Sequence, residues 1–124
     1  MFFSRGAGIK YVSSGDSDSF LFEKEDFNLD GNWNDLDLSA IVPVGAKVVH
    51  FNLIIGHLSA AQIIIFRKKG HTFIHNEVIT YTQVNSKIIS HSFFVGCDTD
   101  RVVQYKALDP TWIVVDLYVH GWIG

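Results

Sequence analysis

The sequence predicts an all-β fold, an antiparallel β-sandwich of jelly-roll type with about seven to nine strands. Three observations carry this. The chain after residue 35 is rich in β-branched and aromatic runs, which suits a pleated, half-buried surface. Its apolar residues alternate with period two, so that each strand shows one dry face and one mixed face. Short turn-forming clusters interrupt these runs, with no helical spacer of ten or more residues between them, which argues against an α/β fold.

The strands expected in order are LDLSAI (36–41), AKVVHFNLII (46–55), AQIIIFR (61–67), EVITYTQV (77–84), KIISHSFFVG (87–96), RVVQYKAL (101–108) and TWIVVDLYVHGWI (111–123). Between them stand PVG, GHLS, KKGH, NS, CDTD and DP, whose Gly, Pro, Asn, Asp and Ser favour turns. In the second strand Val49, Phe51, Leu53 and Ile55 form the core face. The last strand divides into Ile113, Val115, Leu117 and Val119 on a core face and Val114, Asp116, Tyr118, His120 and Trp122 on the other.

A chain of 124 residues is the size of one domain. With 48% hydrophobic residues and 19% charged ones it has the composition of a folded protein. A net charge of -3 supplies no basic field, so no nucleic-acid partner is expected. No apolar run reaches about 18 residues, so no membrane span is expected, and the opening residues read as no secretion signal. The single Cys97 cannot form an intramolecular disulfide, as suits a cytosol that keeps thiols reduced.

Charge is uneven along the chain. Eight of the thirteen acids precede residue 40, with only Arg5, Lys10 and Lys24 among them. Residues 1–28 are therefore expected to form an acidic N-terminal arm or first hairpin, and residues 29–124 the β-sandwich domain.

The segment DFNLDGNWNDLD carries the spacing of a calcium loop. Asp26, Asn28, Asp30 and Asp37 stand where such loops place oxygen ligands, and Gly31 stands at the sharp turn. An EF-hand also needs flanking helices, whereas LDLSAIVPVG reads as a strand and turn, so an acidic turn entering a strand is the expectation, with these four residues as the weak calcium candidates. His71 and His75 have Hx3H spacing. On a strand those positions lie about 13 Å apart, too far for one zinc ion. No nucleophile elbow or phosphate-binding glycine loop is present, so no catalytic residue is expected and no cofactor is implied.

The mixed face of the last strand is the most informative local feature. Asp116, Tyr118, His120 and Trp122, with Trp112 at the strand's start, are the candidate interface or ligand-binding residues. Amphipathic aromatics on a strand suit a subunit contact or a platform for sugar rings, or else ordinary core if the strand is central and covered by the arm.

Four segments, DGNWNDLDLSAIVPVGAKVV, IIIFRKKG, DRVVQYKA and VDLYVHGWIG, occur in an order and at separations that resemble a β-sandwich module of bacteriophage structural proteins, of the tail-fibre, head-fibre and virion-appendage type. The resemblance covers about residues 30–124 and touches no catalytic motif. It implies that Trp33, Leu36 and Leu38 are apolar positions of a first sandwich strand, that Pro43 and Gly45 shape the following turn, and that Gly121 and Trp122 close the last strand. It further implies a non-enzymatic virion structural or attachment protein that assembles in a host cytoplasm as a homo-oligomer, a trimer by preference, with other virion proteins as partners. The alternative is a carbohydrate-binding module whose Trp112, Tyr118 or Trp122 stacks on a host-surface glycan.

Overall fold

The computed structural model describes residues 10–15 and 18–124. Among them nine strands form two antiparallel sheets: β1 (Tyr11–Ser13), β2 (Leu21–Phe22), β3 (Asn34–Asp37), β4 (Val48–His57), β5 (Ile63–Lys68), β6 (Val78–Tyr81), β7 (Ile88–Gly96), β8 (Val102–Ala107) and β9 (Trp112–Ile123). The first sheet runs β1-β9-β4-β7, with β2 also on β9, and the second runs β3-β8-β5-β6. Apart from the two-residue β2, the strands pair as nested partners: β1 with β9, β3 with β8, β4 with β7, and β5 with β6. That winding is a jelly roll. The expected fold class is what the chain adopts, and each of the seven expected strands is present with ends moved by a few residues.

Alternation sends Val49, Phe51, Leu53 and Ile55 of β4 inward against Phe93 and Val95 of β7 and Val115, Leu117 and Val119 of β9. From the second sheet come Leu36, Ile64, Phe66, Val103 and Tyr105. Phe51, Phe66 and Phe93 meet at the centre, with ring centroids 5.4 to 5.9 Å apart, within the range where aromatic pairs attract.

From the segment expected as an arm or hairpin, β1 and β2 pair with β9 and not with each other. Phe27 is buried, and its ring stands edge-on to Tyr105 at 5.0 Å. The Tyr105 hydroxyl, at the inner end of that contact, accepts the backbone N–H of Asn28 at 2.6 Å. Phe20 and Phe22 also pack against the core. These apolar residues, spaced among acids, draw the segment onto the sandwich.

Phe66→Ala removes the ring shared by Phe51, Phe93 and Tyr105 from a fully buried site. A loss of about 3–5 kcal/mol is expected, read from denaturant melts against the unchanged chain.

Candidate functional site

The candidate residues of β9 are divided by two register shifts in its pairing with β4. Gly56 faces Val114 while His57 faces Trp112, leaving Ile113 as an extra residue. Likewise Phe51 faces Val119 while His50 faces Gly121, leaving His120 unmatched. Each extra residue reverses the inward and outward sense of what lies beyond it.

Three expectations are therefore corrected. Trp112, expected on the interface or ligand face, is 2% exposed and stacks edge-on to His57 inside the sandwich. Ile113, expected in the core, is 49% exposed. Trp122, opposite Val49, is partly buried and packs against the core, so it leaves the outer face too. Asp116, Tyr118 and His120 remain outward.

The structure joins these three to residues on neighbouring strands that the sequence did not single out. Tyr118 lies opposite Asn52, and Asp116 opposite Ile54. His50 pairs across with Phe94 of β7, and their rings stack at 4.3 Å with 11° between planes. The His120 ring lies 5.2 Å from His50 and 5.2 Å from Tyr118. Tyr11 of β1 reaches over the small residue Gly121, where an added methyl group would overlap the phenol, and its hydroxyl lies 3.0 Å from His50 Nδ1. His50 Nε2 is 2.7 Å from Ser92 Oγ. The outer face of the first sheet thus carries a continuous strip of Phe94, His50, Tyr11, His120 and Tyr118, and Phe94 is 48% exposed.

Burial pushes the His50 imidazole below the usual histidine range, and the nearby His120 pushes it the same way. The folded state therefore prefers His50 neutral. Its favourable contribution is present above the ordinary histidine pKa and fades as pH falls through the lowered one. The His50 imidazole thus sits between two hydroxyls, beside the exposed rings of Tyr11 and Phe94.

A second histidine, His57, is buried at the end of β4. Its Nδ1 accepts the Ser59 backbone N–H at 3.0 Å, which leaves the proton on Nε2, 3.2 Å from Asp109 Oδ1. The same oxygen accepts the Thr111 N–H and hydroxyl at 2.7 and 2.6 Å. The Trp112 indole N–H donates to the Asp109 carbonyl. This arrangement fastens the β8–β9 turn to β4 and seats Trp112 inward, so it explains the first register shift.

The calcium-spaced residues fall into separate local structures. Asp26 closes a 3-10 turn by accepting the Glu23 N–H at 2.8 Å, and Asp37 caps the next turn by accepting the Ser39 N–H. Asp30 accepts from the Asn32 N–H and the Asn34 side-chain amide, which hold its carboxyl below the usual range. Asn34 Nδ2 also lies 3.2 Å from the Asn28 carbonyl and 3.0 Å from that of Asn32, so an amide nitrogen occupies the middle of the turn. Among the described residues no group of three or more His, Cys, Asp and Glu is arranged to hold a metal. Nor is any helix long and apolar enough to cross a membrane.

Trp33 precedes β3 and is covered by the Arg67 guanidinium at 3.7 Å, on the outer side of the second sheet. His71 and His75 are exposed in the loop after β5. Asp98 and Asp100 lie in the turn before β8, where Asp98 Oδ1 accepts the N–H of Asp100 and of Val102.

Compared with models of known protein families the chain matches none, and no curated protein matches it.

Hydrogen bonds from Thr111, first, and from His57 lower the Asp109 pKa from 3.8 to about 2. Its contribution is therefore complete above pH 3.8 and lost as pH falls towards 2. In acid melts the unchanged chain is expected to lose stability across that window more steeply than Asp109→Asn, which starts lower and stays flatter. Parallel curves would show that the carboxylate contributes nothing.

Proposed function

We propose that the chain is a non-enzymatic structural or attachment module, of the kind carried on virion appendages, that assembles as a homo-oligomer. The observation that supports this reading best is the strip formed by Phe94, His50, Tyr11, His120 and Tyr118 on the outer face of the first sheet. A contiguous aromatic strip on a rigid sheet is characteristic of a contact surface. The resemblance supplies the class. Its motifs provide framework residues here: Leu36 and Leu38, Phe66, Tyr105 and Ala107 are all buried, and Gly45 takes a positive φ of 97° in its turn. A module identified by its scaffold fits a building part better than a catalyst. The jelly roll adds a weaker argument, because capsid and lectin domains both use it.

A second reading, carbohydrate binding, draws on the same strip. Phe94 and Tyr118 would stack on sugar rings, while Asp116, Asn52 and Ser92 would bond hydroxyls.

Light scattering at high micromolar concentration is expected to show an oligomer, and a lone species of 14.0 kDa would overturn the assembly reading. Glycan-array signals that Phe94→Ala and Tyr118→Ala abolish would instead favour the carbohydrate reading.

A further inference from the structure

The strip lies on a face, and the free edges of the two sheets are a separate question. Edges are where unpaired backbone groups wait for a partner, and proteins blunt them with short strands, charges, proline or bulges. Three of the four edges here are blunted. On the first sheet, one side is divided between β1 and β2, of three and two residues. On the second, β3 and β6 have four residues each, and β3 points Asp35 and Asp37 outward.

The fourth edge is β7. It is nine residues long, IISHSFFVG, with no Asp, Glu, Lys, Arg or Pro. Among the described residues it pairs with β4 alone. Ile88 is 62% exposed and Phe94 48%. An edge this long, neutral and apolar has none of the usual protection.

We propose that a second copy of this chain docks on the free edge of β7, antiparallel, about a two-fold axis at Ser92. The inference deepens the homo-oligomer reading above and rests on it. The partner is read from the strand's own symmetry and charge. In antiparallel pairs opposed side chains share a face, so a two-fold contact must set one residue against itself. With Ser92 at that place, Ser90 faces Phe94, His91 faces Phe93, Ile89 faces Val95, and Ile88 faces Gly96. No like charges meet along the strand. Lys87 stands just before it and Asp98 two residues beyond it. By the same register Lys87 of each copy faces Cys97 of the other, one residue short of Asp98, so opposite charges come near each other at both ends.

Nine residues at about 3.4 Å each make an edge roughly 30 Å long. The two first sheets would join into one continuous sheet, with an aromatic strip on each half. An edge contact is smaller than the roughly 1,600 Å² of a standard interface, so the pair forms at high micromolar concentration and exchanges quickly. A two-fold contact gives a dimer, not the trimer that the resemblance implies.

Ser92 lies exposed at the axis, so Ser92→Lys sets two like charges against each other, as does Ser92→Glu. Light scattering is expected to give twice the 14.0 kDa chain mass for the unchanged protein. Each variant alone should be monomeric, with at least a tenfold weaker association, and an equimolar mixture of the two should dimerise again. Should either variant fail to fold, amide exchange in the unchanged chain decides. Amides of Ile88–Gly96 that point away from β4 must slow at high concentration and exchange freely at low. A trimer, or an oligomer that neither variant disturbs, overturns the β7 pairing and leaves the homo-oligomer reading standing. A monomer at every concentration overturns both.

Discussion

The pairing of β4 with β9 is the constraint on which the rest of the structure depends. These are the two longest strands, of ten and twelve residues, and they form the centre of the first sheet. β1 and β2 dock on one side of this pair, and β7 on the other. Phe51, Leu53 and Ile55 from one strand and Val115, Leu117 and Val119 from the other provide much of the dry surface that receives the second sheet. The strands lie more than fifty residues apart in the chain, so they meet only when most of the domain has come together.

That same pairing sets the chemistry of the outer face through its two interruptions. Between the shifts, period two holds and Asp116 and Tyr118 point to solvent. At the shifts, Trp112 and Trp122 turn inward, while His120 is left outside beside His50. The inward tryptophans strengthen the sandwich, and the outward histidines and phenols form the aromatic strip. Two extra residues in one strand thus separate the aromatics that hold the fold from those left on the outer face. Small residues make room for this division: Gly121 lets Tyr11 close over the sheet, and Gly56 fits between Ile88 and Val114.

The first sheet presents surfaces of two kinds. The strip offers rings, imidazoles and hydroxyls, groups that recognise by shape and hydrogen bonding. The β7 edge offers backbone groups, which recognise another strand with little regard to side chains. Acidic residues cover the opposite sheet's edge at β3, and the Arg67–Gln104–Asp35–Lys69 network ties down its outer face. The molecule is therefore asymmetric, with a closed polar face and an open, neutral side.

The amino-acid sequence by itself determined the fold class and the positions of seven strands, because period two, β-branched residues and turn chemistry are local signals. It also marked Asp116, Tyr118 and His120 as outward, and the structure keeps them so. The pattern DFNLDGNWNDLD was legible as a turn entering a strand, since no helix could flank it. Tertiary structure alone decided what those residues meet. His50, Phe94 and Tyr11 come from three other strands, and no spacing in the chain announces that they converge. It also decided the fate of the tryptophans. A register shift is a property of two strands together: the His57–Asp109 contact that accompanies the inward turn of Trp112 joins β4 to the turn before β9, and a single strand read alone carries no trace of its partner's register.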